Sequence, residues 1–193
     1  IPTYDVLSEE NLLRIEHAAD RILAETGIDF RDDDEAIELW KKAGAHVDGI
    51  RVRFEPGMLR EILKTAPSEF TQHARNPANS VQIGGKSVVF APAYGSPFVM
   101  DLDRGRRFGT MEDFTNFVKL GQSSPWLHHS GGTICEPTDI AVNKRHLDMV
   151  YAHVKYSDRG FLGSVTAPER AEDSLEMARL VFGHDFADQN CVI

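Results

Sequence analysis

The sequence predicts an α/β fold in which helices alternate with the strands of a parallel sheet, either open or closed into a barrel. From Thr110 onward, helical and extended patterns alternate with a repeat of about thirty residues, the length of a βαβ unit. The segment Val88 to Phe114 joins an apolar run to a Gly/Pro-rich loop, a hairpin and a capped helix. We therefore predict a helical unit over 1–67, a β-meander over 68–109 and the first βα units of the sheet over 110–193.

Helix start and stop residues define the N-terminal unit. Ser8 predicts the cap of an amphipathic helix that stops at Gly27, and Asp33 or Asp34 opens a second helix that ends at Ala43-Gly44. A hairpin is predicted over 47–54 around Asp48-Gly49, and Pro56 predicts the start of a third helix. The acidic run 32–35 needs no cation, since acidic residues are favoured at a helix N-terminus.

The middle of the chain is predicted to be extended. Short β-branched and aromatic runs, separated by Gly, Pro and Asn turns, occupy 70–74, 81–83, 88–91 and 98–102. Pro92, Gly95 and Pro97 must end strand pairing after the third run. Asp103 to Gly105 provides the turn of the last hairpin.

Three helices follow, each leading into an extended segment. Thr110 with Asp113, and Thr166 with Glu169, predict capping boxes, and another helix is predicted from about Val142 to Tyr156. Extended segments are predicted over 127–134, 160–165 and 190–193. The last strand would lie at an unpaired edge, so we expect the 193 residues to be part of a longer protein, in which further units complete a (β/α)₈ barrel of about 250 residues.

Composition narrows the class of protein. A net charge of -9 without a basic run disfavours nucleic-acid binding. No apolar run is long enough for a transmembrane helix, and residues 1–5 lack the pattern of a signal peptide, so we expect no membrane association and a cytoplasmic protein. Cys135 and Cys191 form neither a disulfide framework nor a zinc motif, and two reduced, mostly buried thiols are expected.

Four stretches in order resemble the trimethylamine methyltransferase family, also described as the MttB superfamily of corrinoid-dependent methyltransferases. They are L-S-E-E-N-L-L-R-I-E-H-A-A-D-R-I-L-A-E-T-G-I-D-F, A-G-A-H-V-D-G-I-R-V-R-F, A-P-S-E-F-T-Q-H-A-R-N-P-A-N-S-V-Q-I-G-G and the segment Val89 to Asp113.

The resemblance implies a TIM-barrel enzyme that moves a methyl group from trimethylamine, or from a quaternary amine such as glycine betaine, to the Co(I) of a corrinoid carried by a separate protein. It also implies that the pyrrolysine position of some members, and the catalytic residues, lie beyond Ile193. No tightly bound cofactor is expected on this chain, which should be inactive alone. A homo-oligomer is compatible with the resemblance.

Candidate substrate-binding residues follow the extended runs, because barrel ligands bind at the carboxyl ends of the strands. These candidates are Tyr94, Gly95, Ser96, Gly131, Gly132, Glu136 and Ser164. An aromatic face and a carboxylate suit a methylated cation. Tyr94 could equally be a packing residue and Glu136 an ordinary loop carboxylate, while Gly131-Gly132 would allow close approach of the backbone or form a bulge.

Histidines and cysteine offer weaker hypotheses. His128 and His129 are adjacent and would point to opposite faces of a strand, one to the core and one to solvent or helix packing, so they cannot ligate one metal together. No H-x-x-x-H or H-E-x-x-H motif occurs, and no metal site is predicted. Cys135 has no evident base and is expected to be a structural thiol.

Two other functions remain open for this sequence. One is a non-catalytic relative that binds a methylated amine, which would bind without turnover. The other is a different TIM-barrel enzyme, which would carry a phosphate-binding loop after later strands.

Overall fold

The computed structural model describes residues 5–183 and residue 185. The chain divides into two compact units, Ile1–Pro67 and Ser68–Ile193. Among the described residues, no helix combines the length and apolar character needed to cross a bilayer. The strand predicted over 190–193 falls outside the described residues.

The first unit contains three helices, α1 (Glu9–Glu25), α2 (Asp34–Ala43) and α3 (Met58–Leu63). As predicted, Ser8 Oγ accepts the Asn11 amide and Asp33 Oδ1 accepts the Ala36 amide, so α1 and α2 both start with a side-chain cap. The third helix begins two residues after Pro56, because Gly57 adopts a left-handed conformation with φ 86°.

A small antiparallel sheet completes this unit. Its strands, β1 (Ile28–Asp29), β2 (His46–Asp48) and β3 (Arg51–Arg53), lie in the order β1-β3-β2. The ring of Trp40 on α2 packs edge to face on Phe54, with the ring centroids 4.8 Å apart. The buried side chains of the unit, including Val52 and Phe54, therefore gather between the sheet and α2.

The second unit begins with two separate hairpins. Strands β4 (Glu69–Gln72) and β5 (Val81–Gly84) flank a short 3₁₀ helix, and β6 (Phe98–Asp101) pairs with β7 (Gly105–Phe108). The predicted continuous meander is wrong, because residues 88–91 form no regular strand that would join the hairpins. The carbonyl of Phe90 instead accepts the amides of His128 and His129, at 2.9 and 3.2 Å.

Three helices follow, α4 (Met111–Ser123), α5 (Arg145–Tyr156) and α6 (Pro168–Phe182). The Thr110–Asp113 capping box is confirmed. The second predicted box is wrong: the cap of α6 is Ala167, without a side-chain acceptor, and the Thr166 hydroxyl accepts a hydrogen bond from Arg170. α5 starts three residues later than predicted, since residues 142–144 form a turn.

The core of the second unit lies between α4, α5 and the extended chain that precedes these two helices. Its members are Val99, Phe114, Val118, Ile134, Cys135, Met149 and Ala152. α4 contacts α5 and α5 contacts α6, so successive helices lie side by side. This order agrees with the predicted helix-strand repeat.

Three extended segments, 90–96, 128–136 and 160–162, lie next to one another and run in the same direction. Ser96 and Cys135 form a parallel bridge, and the Ser130 and Leu162 amides bond the carbonyls of Gly160 and Gly131, each at 2.9 Å. Only isolated contacts form, so the structure has no regular ladder where extended segments 127–134 and 160–165 were predicted. Because the segments run in parallel, their carboxyl ends meet at one edge.

Candidate functional site

A cavity of about 400 Å³ lies at the edge where the three extended segments end. Its lining residues are Tyr94, Thr133, Glu136, Val142, Arg145, His146, Ser164, Thr166 and Arg170. They come from the ends of the extended segments and from the region where α5 and α6 begin. Three predicted candidates, Tyr94, Glu136 and Ser164, therefore share this cavity.

Gly132 lies directly beneath Tyr94. A Cβ atom at position 132 would be 2.7 Å from Tyr94 Cε2 and 2.9 Å from Leu162 Cβ, closer than van der Waals contact allows. Only glycine lets the tyrosine ring lie this close to the backbone. The predicted close approach of the backbone is thus present at Gly132.

The remaining candidates do not line this cavity. The Gly95 amide donates to the carbonyl of Thr133 at 2.6 Å, and Gly131 has φ 89° and packs near Pro92. The Ser96 hydroxyl donates to the carbonyl of Phe98 at 2.6 Å. These residues shape the loops and the neighbouring backbone.

The carboxylate of Glu136 is paired within the protein. Arg145 Nη1 donates to Glu136 Oε2 at 2.5 Å, and the side chains are 18% exposed for Arg145 and 38% for Glu136. Arg145 is not among the site residues predicted from the sequence. Because Glu136 already has a cationic partner, it offers less attraction to a substrate cation than an unpaired carboxylate would.

A second arginine faces the same space. The guanidinium of Arg170 donates to the Thr166 hydroxyl, and among the described residues no carboxylate pairs with it. The lining therefore holds two arginines against one glutamate, and its ionisable groups carry a net positive charge. This excess is the main electrostatic property of the cavity.

His146 contributes a buried polar atom to the lining. The residue is 3% exposed, and its Nε2 donates to Asp173 Oδ2 at 2.7 Å. Its Nδ1 is buried without a hydrogen-bond partner in the described structure. A buried polar atom of this kind is uncommon in native proteins and is available to a bound molecule.

Two other histidines form a buried polar network beneath the cavity. His129 Nε2 donates to Gln72 Oε1 at 2.9 Å, and the Gly131 amide donates to His129 Nδ1. His153 Nε2 donates to the carbonyl of Gly132 at 2.8 Å, and its Nδ1 accepts from the Ser130 hydroxyl at 2.7 Å. Each ring is thus held as the neutral Nε2-H tautomer.

Burial lowers the pKa of both His129 and His153 to about 4. His128, by contrast, is exposed and stacks on Phe90. The prediction that the adjacent histidines face core and solvent is confirmed. Within the described residues, no three His, Cys, Asp or Glu side chains are placed to hold a metal ion.

A second cavity, of about 360 Å³, is mainly apolar and includes Cys135 and Ser96 in its lining. Cys135 is 1% exposed, and burial raises the pKa of its thiol to about 11. A thiol with this pKa is almost entirely protonated at neutral pH and is a poor nucleophile. The prediction of a buried structural thiol is confirmed for Cys135, whereas Cys191 lies outside the described residues.

Comparison with known proteins identifies the family. The family model described as "Trimethylamine methyltransferase (MTTB)" matches residues 1–193. The chain belongs to the trimethylamine methyltransferase family. This result confirms the resemblance and places the chain in a family of methyltransferase enzymes.

Three relatives from bacteria show the range of this family. "Glycine betaine methyltransferase" of Desulfitobacterium hafniense (strain Y51) is 45% identical over 183 residues, which cover 95% of this chain and 38% of the relative. "Proline betaine:corrinoid methyltransferase" of Eubacterium limosum is 30% identical over 75% of this chain and 30% of its own length. "Trimethylamine methyltransferase MttB" of Desulfitobacterium hafniense (strain DSM 10664 / DCB-2) is 32% identical over 43% of this chain and 17% of its own length. The chain therefore spans less than half the length of these relatives.

Proposed function

We propose that the complete protein is a methyltransferase that transfers a methyl group from a betaine, a quaternary amine with a carboxylate, to the Co(I) of a corrinoid protein. The observation that carries this proposal is the 45% identity to a glycine betaine methyltransferase across 95% of the chain. A second relative acts, by its name, on proline betaine and a corrinoid.

The fold supports the proposal through the arrangement of its extended segments. We propose that segments 90–96, 128–136 and 160–162 are the first three strands of a TIM barrel, with α4, α5 and α6 as the helices that follow them. Their parallel contacts and the side-by-side helices fit this architecture. The cavity then lies at the carboxyl ends of the strands, where barrel enzymes bind their substrates.

The cavity can bind the two ends of a betaine. Tyr94 offers an aromatic face to the methylated ammonium, as in other sites that recognise quaternary amines. In the proposed reaction the Co(I) of the partner protein would attack the methyl carbon with its electron pair, so that a cobalt–carbon bond forms and cobalt becomes formally Co(III). The carbon–nitrogen bond would break at the same time, and the tertiary amine would leave with the electron pair of that bond. The residues of this chain would hold the substrate in line for that displacement.

The test is methyl transfer by the complete protein with its cognate corrinoid protein, chemically reduced to Co(I). Glycine betaine, proline betaine, carnitine and trimethylamine are supplied separately, and the visible absorbance of the cobalt is followed together with the demethylated product. We expect methylation of the corrinoid with at least one carboxylate-bearing amine. If the cobalt stays unmethylated with every substrate while a known glycine betaine methyltransferase works in the same assay, the proposal is wrong.

A further inference from the structure

The two arginines of the cavity occupy positions where a helix disfavours positive charge. Arg145 is the first residue of α5, and Arg170 lies in the first turn of α6. The N-terminal end of a helix carries a partial positive charge, so cationic side chains there are destabilising. Arg145 is compensated by Glu136, whereas among the residues that the structure describes the guanidinium of Arg170 bonds the neutral hydroxyl of Thr166 alone.

The surroundings of Arg170 offer the guanidinium little else to bond. The N-cap of α6, Ala167, has no side-chain acceptor, and its carbonyl is already used by the amides of Arg170 and Ala171, at 3.1 and 3.3 Å. His146, which lines the same cavity, is 3% exposed and has an unpartnered Nδ1, which in the Nε2–H tautomer is an acceptor that could take a hydrogen bond from a guanidinium or a ligand donor. An anion in the cavity would give the Arg170 guanidinium the charged partner that no described carboxylate provides.

We propose that Arg170 binds the carboxylate of a betaine substrate and so determines the preference for carboxylate-bearing amines over simple methylated amines. The planar guanidinium can hold a carboxylate through two parallel hydrogen bonds, and the start of α6 adds its favourable dipole. Tyr94, in the lining of the same cavity, then contacts the ammonium end. This inference rests on the proposed function and adds the residue that recognises the second charge of the substrate.

The experiment compares ligands with and without a carboxylate on the complete protein. Calorimetry measures the dissociation constants of glycine betaine and of tetramethylammonium, which retains the methylated head alone, for the wild type, Arg170→Gln and Arg170→Lys. The matched control is Arg179→Gln, since Arg179 lies on the same helix, is half exposed, and pairs with Glu176 away from the cavity.

We expect Arg170→Gln to weaken glycine betaine binding about 10- to 100-fold, the range for loss of a charged hydrogen bond, and to change tetramethylammonium binding by less than about twofold. Arg170→Lys should fall between Arg170→Gln and the wild type, and Arg179→Gln should match the wild type. Retained binding of tetramethylammonium shows that the variant site is folded.

The outcomes separate this inference from the proposed function. If the wild type demethylates glycine betaine and Arg170→Gln binds it as tightly as the wild type, the carboxylate assignment is wrong and the proposed function stands. An equal loss of both ligands in Arg170→Gln would also overturn the assignment, since it would indicate a structural role. If the wild type binds neither ligand and transfers no methyl group, both proposals fail.

Discussion

Lowering the pH should destabilise the protein through its two buried neutral histidines. His129 and His153 have pKa values of about 4 in the folded protein, whereas histidine in an unfolded chain has a pKa of about 6.5. Between these values the unfolded chain binds protons that the folded protein excludes. Stability is therefore complete above about pH 6.5 and decreases as the pH falls toward 4.

The magnitude follows from the two pKa differences. Between pH 7 and pH 5, each histidine should remove about 2 kcal/mol from the free energy of unfolding, or about 4 kcal/mol together. Urea unfolding of the complete protein at pH 7, 6 and 5, followed by circular dichroism, measures this loss. The variant His153→Gln, whose amide can still donate to Gly132 and accept from Ser130, should lose about half of the pH dependence.

The control is His17→Gln, because His17 is exposed on α1 and should leave the pH dependence unchanged. A free energy of unfolding that stays constant between pH 7 and 5 would refute the reasoning. So would a slope in His153→Gln equal to that of the wild type.

Three further predictions concern the cavity, the helix caps and the buried thiol. Gly132→Ala should displace the ring of Tyr94 and lower kcat/KM for a betaine about tenfold or more. The control Gly163→Ala should retain activity, because its new Cβ would meet its nearest atom at an ordinary 3.4 Å. Equal activities of the two variants would contradict the close packing of Gly132 on Tyr94. Asp113→Asn should cost about 1 to 3 kcal/mol in urea unfolding, because Arg107, which holds the pKa of Asp113 below its usual range, loses one of its two carboxylate partners and keeps Asp101. A change near zero would count against the ion pair between Arg107 and Asp113. In the Cys191→Ser variant, Cys135 should react with iodoacetamide at pH 8 at least about 100-fold more slowly in the native protein than in urea, because its thiol is buried and its pKa is raised. Similar rates in the two conditions would show that the thiol is accessible.

The helices and hairpins were predictable because short-range chemistry determines them. Ser8, Asp33 and the Thr110–Asp113 box each act within three residues of a helix start, and Gly44 ends α2 in a left-handed conformation. The capping box predicted at Thr166 is absent because the Arg170 side chain donates to the Thr166 hydroxyl that would have capped the helix. A local motif predicts a cap only when no other donor reaches the same oxygen.

The extended segments of the second unit were harder to predict. Residues 88–91 have the composition of a strand, yet their backbone makes single contacts with residues 128 and 129. Strand composition indicates a half-buried extended chain, whereas a regular ladder depends on neighbours that are distant in sequence. The extended conformation of these residues was therefore predictable from the sequence, whereas the residues with which they pair were not.

The site was predicted from aromatic and acidic residues after the extended runs, and the two arginines were missed. The sequence did contain a signal for the two arginines, because a cation at the predicted start of a helix interacts unfavourably with the helix dipole and is stabilised by a nearby anion. Arg145 and Arg170 both stand at such positions. Within the described part of the chain, Arg145 pairs with Glu136 and Arg170 with no carboxylate, and this difference is visible only in the structure.

The buried network of His129 and His153 has an evolutionary consequence. Gln72 with His129, and Ser130 with His153, each match a donor to an acceptor in the interior, so a change that removes one of these donors or acceptors leaves an unpaired polar group. Among homologues, positions 72 and 129 should covary, as should positions 130 and 153, whereas exposed His128 should vary independently. Such covariation would show that these side-chain pairs help to align the extended segments, which few backbone hydrogen bonds hold together.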